Sequence, residues 1–256
     1  MSPTIWTLCG GKASLRALQA RAWRVVEAQH VVATRKLVDS DAEQDLLEEL
    51  IDRAKPPRPR GAEFARLHYL LFTPFRYPPL PHGSRFGGHF ARGIWYGALH
   101  LRTALAEKAY YTLLLLEGTT APIGSIDKEA SAFRVRLRTS RGVDLDGPRF
   151  RRFRSAISSP TSYAESQPLG EEMRAAGVEA FLYRSARDPQ GGRNVAALTP
   201  RAFASRSPER PYQAWHCTAT RARVRFRRRV GLEVREGFAF ERESFLVGGE
   251  LPHPGL

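Results

Sequence analysis

Two stretches of this chain alternate arginine with an apolar residue: Phe133-Arg134-Val135-Arg136-Leu137-Arg138 and Arg221-Ala222-Arg223-Val224-Arg225-Phe226. A period of two fits an extended strand with one buried face and one wet face, because successive side chains leave a pleated backbone on opposite sides. The chain therefore builds half-buried strands that each show an arginine face. Around them, Thr103 to about Leu116 and Gly170 to Ala176 read as helices, and Gly93 to Ala98 and Val178 to Tyr183 as strands. Beyond Gly231 the pattern predicts two more strands and then a Pro/Gly-rich end. Strand-like and helical segments alternate without an internal repeat, so a mixed α and β domain, of class α+β, is expected.

The N-terminal part carries helical signals from about Ser14 to Ala54. Trp23, Val26 and Val31 mark one helix, and Leu46, Leu47, Leu50 and Ile51 mark a second at amphipathic spacing. Ser40 with Glu43 three residues on has the spacing of a capping box, which satisfies free amides at a helix start. Lys55-Pro56-Pro57 should end that helix, because proline lacks an amide donor and clashes with the preceding turn. The run KPPRPRG then reads as a connector, with residues 1–58 as a helical segment packed on the core and residues 59–256 as the main domain.

A chain of 256 residues can bury a real core. Only Cys9 and Cys217 are present, without metal-site spacing, so neither a disulfide framework nor a thiolate metal centre is suggested, and a reducing cytoplasm fits. The first residues lack a basic start followed by a long apolar run, and the longest aliphatic run, Leu113 to Leu116, is too short to span a bilayer, so the expectation is a soluble cytoplasmic protein away from membranes. The formal net charge of +14 favours phosphate-bearing partners such as nucleic acid, a nucleotide or an acidic protein. Five of the 40 basic residues are lysine (Lys12, Lys36, Lys55, Lys108 and Lys128). That arginine bias suits planar phosphate recognition, and it is equally the imprint of a GC-rich genome. Glycine-rich nucleotide loops and the H-E-x-x-H metal motif are absent, and the seven histidines are scattered, so no metal is expected. His216 beside Cys217 is a poor base and nucleophile pair, because neighbours on a strand point to opposite faces.

The informative stretch is residues 72–111, FTPFRYPPLPHGSRFGGHFARGIWYGALHLRTALAEKAYY. It resembles the signature of the RES domain, named for its arginine, glutamate and serine. The arginine matches Arg85 in the turn Gly83-Ser84-Arg85-Phe86-Gly87, and a strand tyrosine follows at Tyr96. The glutamate matches Glu107 in Thr103-Ala104-Leu105-Ala106-Glu107, and the serine matches Ser185 in Leu182-Tyr183-Arg184-Ser185-Ala186-Arg187, with Asn194 just downstream. Phe75-Arg76-Tyr77-Pro78 is similar to a further family feature that helps hold the nucleotide. The likeness covers roughly residues 20–200, including Trp23 to Glu27 and Lys36 to Asp39.

The resemblance implies an ADP-ribosyltransferase-like fold, a mixed β-sheet core with surrounding helices, and an enzyme that consumes NAD, by hydrolysis, by phosphorolysis or by transfer of ADP-ribose to a protein. It also implies a toxin of a type II toxin–antitoxin pair, restrained by a helix-turn-helix antitoxin through which nucleic acid would be reached indirectly, and an oligomer is possible. The residue types suit that chemistry. Breaking the nicotinamide–ribose bond passes through a sugar cation, which a carboxylate such as Glu107 can stabilise. Arg85, with Arg76 second, offers a fork to a pyrophosphate. Tyr96 offers a ring face and a hydroxyl, Ser185 a hydroxyl, and Tyr77 completes the nucleotide-binding set. Each residue alone has a plain structural explanation; the ordered set points to an active site. The runs Arg221–Arg229 and Pro148–Arg154 stay open between a solvated face, a grip on a nucleic-acid backbone and a dock for an acidic antitoxin surface. If the signature residues are only scaffold, the alternative is a basic nucleic-acid-binding module without catalysis.

Overall fold

The computed structural model describes residues 3–28, 38–77, 81–230 and 233–254. A short α1 (Ile5–Leu8) precedes β1 (Arg16–Glu27), α2 (Asp41–Ala54) and α3 (Tyr69–Arg76). Then come β2 (Trp95–Ala98), α4 (Leu101–Glu117), β3 (Ile126–Asp144), α5 (Arg154–Ile157) and α6 (Ser166–Ala175). The chain finishes with β4 (Ala180–Arg184), β5 (Arg193–Ala197), β6 (Glu209–Ala219), β7 (Arg223–Val230) and β8 (Glu233–Glu241). The strands form one sheet in the order β1-β2-β5-β4-β3-β6-β7-β8, and β1 also pairs with β3. The pairings β1–β2, β2–β5, β5–β4, β4–β3 and β3–β1 thus close a ring, from which β6, β7 and β8 extend. β3 and β4 run parallel while the other neighbours are antiparallel, so the sheet is mixed and the fold is α+β.

The long β3 serves two cores. Phe133, Val135 and Leu137 face the core that holds Trp95, Leu182 and Leu71. Ala130 and Ala132, on the opposite face, meet Leu105 and Leu113 of α4 together with Trp215, Val224 and Phe226. A third cluster joins Phe86, Phe181, Tyr183 and Ala196 to Met173 of α6 and Ile5 of α1. Each such fully buried large side chain contributes about 1.5–3 kcal/mol. In β3 the predicted arginine face is present: Val135 and Leu137 are buried, whereas Arg136 and Arg138 are exposed.

The expected helix starting near Ser14 is instead a strand. Residues 16–27 pair with β3 from Arg16 to Glu27. The run Arg16-Ala17-Leu18-Gln19-Ala20-Arg21-Ala22 is rich in good helix formers, but pairing with β3 meets its backbone hydrogen bonds and buries Leu18 and Ala22. Val31, Lys36 and Leu37 lie outside the described residues. The second predicted helix is α2, and the capping box is made: Glu43 N donates to Ser40 Oγ at 3.2 Å and Ser40 N to Glu43 Oε2 at 3.2 Å. It ends at Ala54, directly before Lys55-Pro56-Pro57. After residue 231 the described residues form one strand, β8, and then a 3-10 turn at Arg242–Phe245, in place of the two strands expected. Among the described residues no helix is long and apolar enough to cross a membrane.

Candidate active site

The arginine of the signature is presented by a tight turn. Ser84 N donates to Gly87 O at 2.8 Å and Gly87 N to Ser84 O at 3.2 Å. Gly83 enters this turn with φ +73°, and a Cβ there would lie 2.3 Å from Gly87 O, so only glycine fits. Arg85 is buried, its Nη1 donates to Ser159 O at 2.7 Å, and its guanidinium lies 5.0 Å from the Tyr163 ring centre. The Tyr96 hydroxyl is 2.9 Å from Ser84 Oγ and accepts from Phe86 N at 3.3 Å. It therefore ties β2 to the arginine turn. Burial pushes its pKa up to about 12, so the phenol stays neutral.

Glu107 sits in the second turn of α4, because the helix begins at Leu101, two residues earlier than the sequence pattern predicted. Its Oε1 accepts from Ser185 Oγ at 2.7 Å and from Asn194 Nδ2 at 2.6 Å. Ser185 Oγ in turn accepts from Arg187 N at 3.1 Å and Asp188 N at 3.0 Å. With one donated and two accepted bonds, the serine hydroxyl has no capacity left. Asp188 fastens this β4–β5 turn to the start of α4, pairing with Arg102 and accepting from Thr103 Oγ1 at 2.8 Å. The carboxylate is thereby held in one orientation, in a way that Ser185 as a free ligand-binding hydroxyl would not require.

Some of these groups border a cavity of about 370 Å³, within the size range of small-molecule sites, while Ser185 stands behind Glu107 and off the wall. Arg85, Tyr96, Glu107 and Asn194 line it, joined by Arg24 of β1, Tyr110 of α4, Tyr163 and Arg187. Arg24 Nη1 donates to Tyr96 O at 2.6 Å, and burial lowers its pKa to about 10. Tyr110, pushed by burial up to about 12, donates its hydroxyl to Pro252 O. That bond holds the C-terminal segment so that His253 and Pro254 complete one wall.

The structure thus brings Arg85, Tyr96, Glu107 and Ser185 together, although their order along the chain gave no distances. It does not bring Arg76 and Tyr77 to the cavity wall. Arg76 Nε instead donates to Pro56 O, which pins α3 to the proline-rich connector, and Tyr77 is exposed; Pro78 lies outside the described residues. Sequence reasoning missed Arg24, Tyr110, Tyr163 and Arg187. Arg187 stands inside the serine motif, two residues on, Tyr110 inside the stretch 72–111 and Arg24 inside Trp23 to Glu27, so these three could have been found, whereas Tyr163 lies in no such motif. The pair His216 and Cys217 divides as expected: Cys217 is buried, with its thiol pushed up to about 11, while the His216 ring lies between Glu129 and Asp127 on the other face.

No curated protein matches the chain. The RES domain model matches residues 55–220, a stretch that runs from the start of the connector through β6. The Arg85 turn, Glu107 and the Ser185 loop all fall inside it, whereas Arg24, His253 and Pro254 on the cavity wall fall outside. The chain belongs to the RES domain family.

Proposed function

We propose that the protein consumes NAD by breaking the bond between nicotinamide and ribose, as a glycohydrolase or phosphorylase, and that it is the toxin of a type II toxin–antitoxin pair. The link of RES domains to NAD-related toxins supports the reading. The observation that carries it is Glu107, a carboxylate fixed by Ser185 and Asn194 on the wall of a cavity bordered by guanidinium groups and tyrosine rings. In the proposed reaction the C–N bond breaks and its electron pair leaves on the nicotinamide nitrogen, which neutralises the pyridinium charge. Glu107 stabilises the positive charge left on the sugar carbon. An oxygen of water or phosphate then bonds to that carbon and its proton passes to solvent; transfer to a protein side chain is the same cleavage with another acceptor. Arg85 supplies positive charge for the pyrophosphate, and the ring faces of Tyr96, Tyr110 and Tyr163 suit flat rings. A helix-turn-helix antitoxin covering the cavity would restrain the enzyme, and nucleic acid would be reached through that partner.

The test is nicotinamide release from NAD by the purified protein, with and without phosphate, beside Glu107→Gln. The variant keeps the shape of the side chain and is expected to lose about 10²–10³-fold in kcat, with an unchanged circular dichroism spectrum. No release by the wild type under any condition, together with strongly salt-dependent binding to nucleic acid, would favour the basic binding module instead.

A further inference from the structure

Arg187 is a cost that the fold itself does not explain. It is only 4 % exposed, it lines the cavity, and neither Nη1 nor Nη2 has a hydrogen-bond partner. Its guanidinium lies 3.6 Å from the centre of the Tyr110 ring, whose face attracts a cation but leaves the N–H groups unmet. Burying a permanent cation with idle donors is unfavourable unless a partner arrives. Other arginines near the site are occupied: Arg85 by Ser159 O, Arg102 by Asp188 and Arg193 by Asp144. Arg187 makes no ion pair with Glu107, whose Oε1 is already taken by Ser185 and Asn194.

We propose that Arg187 is the seat of a phosphate oxyanion. Two idle nitrogens of one planar guanidinium match two oxygens of a phosphate. The seat is close to the reacting carboxylate by construction. Arg187 N donates to the same Ser185 hydroxyl that donates to Glu107, and Tyr110, on which the guanidinium stacks, follows Glu107 by one turn of α4. A second idle atom narrows the ligand further. Asn194 Oδ1 is buried without a partner while its Nδ2 holds Glu107. An acceptor there calls for a hydroxyl or amide donor, so the complement of the cavity is an oxyanion beside such a donor, as in a phosphorylated sugar. The phosphate has two sources: the nucleotide itself, or free phosphate held as the incoming acceptor. The proposal rests on the same cavity as the NAD reading, but not on turnover.

The test measures binding of inorganic phosphate, ADP and adenosine by calorimetry, without NAD, to the wild type, Arg187→Gln and Arg187→Met. Wild-type binding of phosphate or ADP, but not of adenosine, that weakens at least tenfold in both variants supports the seat. Loss confined to inorganic phosphate identifies the free acceptor, and loss confined to ADP identifies the nucleotide's phosphate. Ligand-free Tm is expected to stay level or rise in Arg187→Met, because an unmet buried cation is gone. Equal affinities across the three proteins, no wild-type binding of either anion, or a lowered ligand-free Tm with unchanged affinities would each overturn it. Arg187-dependent binding in a protein that never releases nicotinamide would sink the NAD reading and leave the seat standing.

Discussion

His216 shows how one side chain on the open sheet face makes stability depend on pH. Hydrogen bonds from its ring to Glu129 and Asp127 raise its pKa above the ordinary histidine value. A raised folded-state pKa gives stability that is fully present below the unfolded value and is lost as pH rises through the folded one. The ring and both carboxylates are 43–55 % exposed, so solvent screening holds the effect to a few tenths of a kcal/mol. Urea unfolding at pH 5.5 and 8.5 is expected to show the wild type ahead of His216→Gln at the acid end only; a gap of equal size at both would refute the assignment. At this scale the ordered residue types made Arg85, Tyr96, Glu107 and Ser185 legible from sequence. Arg24 and Tyr163 were not, because each reaches the cavity only through long-range packing: Arg24 on a strand misread as helix, Tyr163 beneath Arg85. Arg76 and Tyr77 were read from a likeness in sequence alone, which does not fix direction in space, and here they lie off the cavity wall.

Helix α4 and the β4–β5 turn form the unit that aims Glu107, and their contact has no slack. Gly192 touches the helix so closely that an added Cβ would lie 2.1 Å from Thr103 Oγ1 and 2.6 Å from Asp188 Oδ2. Gly192→Ala is therefore expected to destabilise the protein by about 1–3 kcal/mol, and to lower activity as Ser185 and Asn194 shift against Glu107. The midpoint of denaturant unfolding and nicotinamide release check the two parts; an unchanged midpoint would mean that the turn is looser than its contacts indicate. Period-two and apolar patterns made α4, β3, β4 and β7 legible. β1 failed because its alanine and arginine content favours a helix locally, while pairing along β3 decides the outcome. β5, Arg193–Ala197, holds a single β-branched residue beside two alanines, so it shows neither an alternation nor the large apolar run that marks β4.

Across the whole molecule, the matched stretch 55–220 leaves out β1, β7 and β8 of the sheet. Without β1 the ring of strands is open, and without β7 and β8 helix α4 loses Val224, Phe226 and Phe240 from its core. A chain trimmed to residues 55–220 is expected to lack a cooperative unfolding transition by calorimetry, and a sharp transition would show that the ring is dispensable. The sequence conveyed the mixed α and β class through its alternating segments, but not the closure, which depends on β1 meeting both β2 and β3. That closure, and the cavity wall made by β1 at one end and His253 and Pro254 at the other, also bear on timing. A chain is made from its N-terminus onward, so the ring can assemble while the last wall is still to come. The cavity is whole only after residue 254 has emerged from the ribosome, and a nascent chain that still lacks it therefore carries an unfinished site.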